Sequence, residues 1–128
     1  MDFAYTRIVD IPFGQAIDDL KVTLKQQGMG VLWELDIPSK LQEKGQDFTT
    51  PVRILEVCNP VKAKKVLETN IVAAYFLPCK VVVFQNHEGR TALGMIRPTT
   101  LIGVLGDEGL KGIAQEVENE LRAAIDGV

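Results

Sequence analysis

The sequence predicts an α+β fold, a mainly antiparallel sheet with helices packed on one face. Three observations carry this. Strand-like and helix-like segments follow one another in the order β-α-β-β-α-β-β-α. The turn Asn86-His87-Glu88-Gly89 joins the last two strands as an antiparallel hairpin, with glycine where a positive φ is often needed. The first and last helices each carry a single apolar stripe, as a helix does when it covers a sheet from one side.

Taken in order, residues 2–11 read as a strand, because aromatic and β-branched residues are frequent and Phe3, Tyr5 and Arg7 alternate with Ala4, Thr6 and Ile8. Pro12 marks a helix start. Phe13, Ala16, Ile17, Leu20, Leu24 and Gln27 then recur at helical spacing, until Gly28 and Gly30 end the helix. Residues 31–36 form the second strand, with Val31, Trp33 and Leu35 on one face and Leu32, Glu34 and Asp36 on the other. The polar stretch 37–45 is expected to hold one helical turn capped by Ser39, and 46–50 a loop. Residues 51–58 are the third strand.

Asn59-Pro60 starts the next helix, a capping side chain followed by proline at the first helical position. Ala63, Val66 and Leu67 face inward along it, and Lys62, Lys64 and Lys65 read as its wet side. Residues 71–76 fit either a helical turn or extended chain, and Leu77-Pro78 ends them. Residues 79–85 and 90–97 are the hairpin strands. Residues 98–106 read as a loop with some extended character. Asp107 or Glu108 opens the last helix, whose stripe is Leu110, Ile113, Ala114, Val117, Leu121 and Ile125.

A sheet covered on one side should alternate apolar and polar residues. The third and fourth strands do not: Ile54, Leu55 and Val57 nearly adjoin, and Val81-Val82-Val83-Phe84 is apolar on both faces. Something is therefore expected on the second face. An identical subunit is the leading candidate, since two-fold homodimers are the commonest oligomers. A bound apolar ligand and cover from within the chain are the others.

The chain has 128 residues, the length of one domain spanning 1–128, and it can bury a core without disulfide staples. A formal net charge of −3 argues against a nucleic-acid partner, which calls for a basic excess. The N-terminus lacks the basic start and apolar stretch of a secretory signal, and the longest apolar run, 71–78, falls far short of the roughly 20 residues of a membrane span. These features point to a cytoplasmic protein with no membrane partner and with reduced thiols.

Three phrases, Gln26-Gln27-Gly28-Met29-Gly30-Val31-Leu32, Val57-Cys58-Asn59-Pro60 and Leu77-Pro78-Cys79-Lys80-Val81, come in the order and spacing that resembles the bacterial and archaeal domain of unknown function 302. The resemblance spans the chain from the first helix to the last. It implies an α+β domain, often dimeric, similar to the TATA-binding-protein-like class of antiparallel sheets with packed helices. It implies no established activity. The family commonly carries an aromatic residue where Met29 stands.

Cys58 lies at a helix start, where free N–H groups and the positive end of the dipole favour a thiolate. Cys79 opens the next long strand. If the two strands are neighbours, the thiols could serve as a redox pair or a two-thiolate half-site for a metal; the alternative is that both simply pack as small apolar residues. Glu34, Asp36 and Glu56 could converge as acid/base groups or cation ligands, or instead form a solvated sheet face. His87, the only histidine, sits in the hairpin turn and reads as exposed and inert. Gly28-Met29-Gly30 follows a helix, so it is no dinucleotide motif. Residues 103–109 lack the lysine and hydroxyl of a phosphate loop.

No catalytic motif emerges, no metal site is assigned and no cofactor is identified. The reading favours a non-enzymatic homodimeric module that binds a small apolar or amphipathic ligand in a cleft between helices and sheet, with Cys58, Cys79, Asn59, Glu34 and Glu56 as candidate site residues. A thiol-based redox, sulfur-handling or metal-binding protein using Cys58 and Cys79 is the alternative. A purely structural or interaction protein is the third.

Overall fold

A computed structural model describes residues 3–128. Among them five strands form one antiparallel sheet in the order β1-β5-β4-β3-β2. The strands are β1 (Ala4–Val9), β2 (Gly30–Asp36), β3 (Val52–Cys58), β4 (Cys79–Gln85) and β5 (Thr91–Ile96). The helices are α1 (Phe13–Gln26), α2 (Ile37–Glu43), α3 (Pro60–Thr69), α4 (Pro98–Leu105) and α5 (Lys111–Asp126), with 3₁₀ segments at Ile71–Phe76 and Glu108–Leu110. The expected α+β class and the β4–β5 hairpin hold, and Gly89 takes the positive φ of +77° that the turn requires. The expected start of the first strand includes Asp2, which lies outside the described residues.

Alternation sorts the strand residues between two faces. Leu55, Val57, Val81, Val83, Leu93 and Met95 point to one face and meet Ala16, Ile17, Leu20 and Leu24 of α1 and Leu121, Ala124 and Ile125 of α5. A second cluster, Val66, Ala73, Ile102, Leu110 and Ala114, lies where α3, the first 3₁₀ segment, α4 and α5 meet. The stripes expected on α1 and α5 are therefore core.

The opposite sheet face belongs to neither cluster. The register places Ile8 beside Ala92, Phe84 beside Ala92 and Val52, Val82 beside Gly94 and Ile54, and Leu35 beside Ile54. Ala92 and Gly94 are buried at the floor of a shallow valley between the side chains of β1 and β4. On the same face Ile8 is 45% exposed, Ile96 39% and Trp33 55%.

Three sequence-based expectations need correction. Residues 98–105 form a helix, α4, in the stretch 98–106 where a loop was expected. Thr99, Thr100, Ile102, Gly103 and Val104 are poor helix formers, which hid it. Tertiary contacts supply what propensity lacks: Pro98 opens the helix, Gly106 closes it at φ +68°, and Ile102 is buried. The buried Glu118 carboxylate of α5 accepts from the Thr99 backbone N–H at 3.2 Å, the Thr99 hydroxyl at 2.6 Å and Arg97 Nε at 3.1 Å. Second, α2 is capped by Asp36, which accepts from the Ser39 N–H, so Ser39 is the donor rather than the cap. Third, the pairing register shifts between Val31 and Trp33, so β2 does not alternate along its whole length. The irregularity lies on an edge strand, where it hinders pairing with another chain.

Two predictions follow from this packing. A Cβ at Gly94 would stand 2.9 Å from Thr6 Oγ1 and 3.0 Å from the Tyr5 carbonyl, so Gly94→Ala should cost about 1–3 kcal/mol in urea unfolding. Glu118 is buried, which alone would raise its pKa, but the Thr99 and Arg97 hydrogen bonds hold it below the usual glutamate range. Its contribution is fully present above the unfolded-state pKa and is lost as pH falls through the lower folded-state value. Glu118→Ala should cost about 2–3 kcal/mol at neutral pH and less in acid, because Arg97 keeps partial access to water. Equal destabilisation at pH 7 and pH 3 would contradict the assigned charge state.

Candidate functional site

The end of α1 sets the site. Gln27 and Gly28 close the helix, with the Gly28 N–H bonded to the Lys25 carbonyl and the Met29 N–H to the Leu24 carbonyl. Gly28 adopts φ +75°. This is a Schellman turn, whose outer residue packs back on the helix, and Met29 accordingly joins Leu24 in the core. The next residue, Gly30, pairs with Cys58 at the end of β3, and Val57 pairs with Cys79 at the start of β4. Three sulfur-bearing residues thus come to one end of the sheet from three separate chain segments, Cys79 with Val57 on the helix-covered face, and Cys58, the next residue along β3, alternating to the other.

Asn59 follows Cys58 and caps α3, its carbonyl oxygen accepting from the Lys62 N–H at 3.3 Å. Its side-chain amide donates to Glu120 on α5 at 3.4 Å. Lys62 turns toward α5 and pairs with Glu120 and, at 3.4 Å, with Glu116. The Glu120 hydrogen bond raises the Lys62 pKa. Lys62 was expected on the wet side of its helix; it is instead half-buried and ties α3 to α5.

Beneath Lys62 lies a cavity of about 40 Å³ lined by Met29, Val57, Cys58, Asn59, Lys62, Ala63, Val66, Leu77, Cys79 and Val117. A second void of about 40 Å³ lies beyond it, bounded by Phe76, Pro98, Leu101, Ile102, Ile113 and Ala114. The two share the walls Val66, Leu77, Cys79 and Val117. Each has room for only a few water molecules.

The two cysteines are free thiols, half-buried, on adjacent strands. Burial raises the Cys58 thiol, opposite to the direction expected from the helix start alone. Burial pushes Cys79 up to about 11, with the charges of Cys58 and Glu56 adding to the shift. Both are protonated at neutral pH, which removes the expected support for a reactive thiolate.

The carboxylates do not converge. Glu34 and Asp36 share a face with Arg53, which meets Glu34 at 2.7 Å and Asp36 at 3.5 Å, while Lys21 of α1 also reaches Glu34 at 2.7 Å. The Lys21 hydrogen bond, opposed by burial and helped by Arg53, lowers the Glu34 pKa. Glu56 pairs with Trp33 on the opposite face and contacts Lys80 at 3.0 Å. Ion-paired carboxylates on opposite faces cannot act together on one substrate. His87 is exposed in the hairpin, at the far end of β4 from Cys79 and about 20 Å away along the strand.

Sequence reasoning missed Met29, Lys62 and Glu120 as neighbours of the cysteines. The Gly28-Met29-Gly30 cap was legible, but nothing in the sequence reports that α3 lies against α5.

The family model for the domain of unknown function DUF302 matches residues 5–128. A solved structure of an uncharacterized conserved DUF302 protein from Bacillus stearothermophilus is similar to this chain at 48% identity, with a TM-score of 0.94, covering 99% of this chain and 98% of that one. No curated protein matches the chain.

The raised thiol values predict slow alkylation of both cysteines at pH 7, with Cys58 accelerating first as pH rises and Cys79 only toward about pH 11. Mass-resolved labelling with iodoacetamide measures the order. Rapid modification of Cys79 in the folded protein at pH 7 would contradict it.

Proposed function

The chain belongs to the DUF302 family, and we propose that it acts in the cytosol as a non-enzymatic homodimeric module that binds a small apolar or amphipathic molecule. The observation that carries this reading is the second sheet face. Five strands about 4.8 Å apart and six or seven residues long present a planar footprint of about 500 Å². Side-chain relief raises that toward the roughly 800 Å² per partner of a standard interface.

Chemistry on the face favours a second copy as its cover. The face is mostly apolar, yet it carries Lys80 beside Glu56, and one oxygen of Glu56 is buried without a hydrogen-bond partner. A two-fold contact with its axis at this pair would set each Lys80 near the other subunit's Glu56, so the same pair would serve both sides. The valley floored by Ala92 and Gly94 can receive a ridge of the partner's side chains.

The ligand would enter the voids between α3, α5 and the sheet. The walls of both are apolar, and the first also carries Asn59 and Lys62, which fits a small molecule with a polar end. Rotation of Val66 or Leu77 would join the two voids. The redox alternative lacks support, because both thiols are held protonated.

Light scattering coupled to size-exclusion chromatography tests the dimer: the expected mass is twice 14.1 kDa. Ile8→Lys with Ile96→Lys changes two exposed side chains and should give a folded monomer. A wild-type monomer at high micromolar concentration would overturn the dimer. For the ligand, a panel of short aliphatic and aromatic alcohols should raise the melting temperature, by about 2.7 kcal/mol of stability at a hundredfold excess over Kd. Ala63→Leu, which fills the cavity wall, should abolish the rise. No shift across the panel counts against the cleft.

A further inference from the structure

We propose that the groove between α4 and α5 binds a small apolar carboxylate, with Lys111 holding its charged end. The groove has a volume of about 200 Å³ and is lined by Thr99, Ile102 and Gly103 of α4 and by Lys111, Ala114 and Gln115 of α5. Each trio has the spacing i, i+3, i+4, so each shares one face of its helix. The Thr99 hydroxyl, bonded to Glu118 at 2.6 Å, and the apolar cluster that joins Ile102 to Ala114 hold the two faces opposite each other. The groove shares Ile102 and Ala114 with the second of the voids near the cysteines and no wall with the first. It has room for about ten non-hydrogen atoms.

Gly103 keeps the groove open. It lies inside α4, where glycine is less favourable than alanine, and its φ is not positive. A Cβ there would meet nothing within 4 Å. Neither backbone geometry nor packing calls for glycine at this position, and on a helix of poor formers it costs stability. What the missing side chain leaves is access to a buried apolar floor, Ile102 and Ala114.

The floor selects an apolar body and the rim selects the charge. Lys111 opens α5 at the positive end of its dipole, and the first turn of that helix carries no acidic residue. The ammonium meets Glu108 at 2.9 Å in an exposed pair, a weak contact that a ligand carboxylate can replace. Gln115, one turn on, spends one amide N–H on Asn119 and has a second to donate. At the far end, two turns or about 10 Å along α5, the Glu118 charge is matched by Arg97 at 3.1 Å, so it repels a distant carboxylate little. One cation beside an apolar floor fits a monoanion with a short hydrocarbon body. A phosphate, with more charge to match and nothing to bury, fits it less well.

Hexanoate is the probe and hexanamide its uncharged counterpart, each titrated against the full chain by amide-resolved NMR. Hexanoate should shift the amides of 99–103 and 111–115 saturably, with a Kd of about 1 mM, the scale for a ligand of that size. Hexanamide should bind about fivefold more weakly. Lys111→Met, which keeps the stem and removes the charge, should weaken hexanoate about fivefold and leave hexanamide unchanged. Glu108→Gln, which removes the present partner of Lys111, should tighten hexanoate about twofold. Gly103→Leu fills the groove without a backbone clash; it should abolish binding of both probes while raising the melting temperature, so a folding defect cannot mimic the result. Ala63→Leu, in the wall of the first void, should leave hexanoate binding unchanged. No saturable shift at about 10 mM, equal affinity for acid and amide, or wild-type affinity in Gly103→Leu would each overturn the site. Loss of binding in Ala63→Leu alone would move hexanoate to the voids and overturn the groove, so the two sites fail separately.

Discussion

Leu20 and Leu24 of α1 and Leu121 and Ile125 of α5 meet Leu55, Val57, Val81, Val83 and Leu93 with no solvent access. Each such side chain contributes on the order of 1.5–3 kcal/mol by leaving water. Every other feature is hung on this contact. It holds α1 and α5 side by side, and the Thr23 hydroxyl seals that pairing by donating to the Ala124 carbonyl at 2.7 Å. It also brings the C-terminus of α5 over the edge strand β1. There Arg7 donates to the carbonyls of Ile125, Asp126 and Val128, so a cation from a distant segment serves the helix end that has no basic residue of its own. Arg122 of α5 lies 4.2 Å over the Tyr5 ring, adding a cation–π contact to the same edge.

A second layer depends on the first. Once α5 is fixed, its outward side can receive α3 and α4. Lys62 meets Glu116 and Glu120 on one flank, and Glu118 meets Arg97 and Thr99 on the other. A buried carboxylate with good partners is weak evidence for net stability but strong evidence for a unique arrangement. Glu118 does this for α4, a segment whose own residues argue for another conformation.

The cysteine end of the sheet is where both layers join. Its cavities exist because α3 must leave β3 at Asn59-Pro60 and cross to α5, and the side chains beneath that crossing do not fill the space. The same crossing buries Cys58 and Cys79 and so raises both thiols. Low thiol reactivity is thus a result of that packing arrangement.

Much of the fold was legible because its signals are local. The α1 stripe, the Asn59-Pro60 start, the Asn86–Gly89 turn and the excess of apolar residues in β3 and β4 each depend on neighbours in the chain. The chemistry of the candidate site was less legible. Cys58 and Cys79 could be singled out as residues, but their protonation depends on what buries them. Glu34 and Glu56 looked convergent only until pairing assigned them to opposite faces. Helix α4 was invisible because its stability comes from Ile102 and from Glu118, more than a turn of chain away. By itself, the sequence determined the α+β class, the element order apart from α4, and the face of each terminal helix that is buried, because periodicity and capping act over a few residues. Only the tertiary structure decided which residues line a cavity, which carboxylates are ion-paired and which helix Lys62 faces. Those are contacts between residues far apart in sequence, and no local pattern encodes the distance between them.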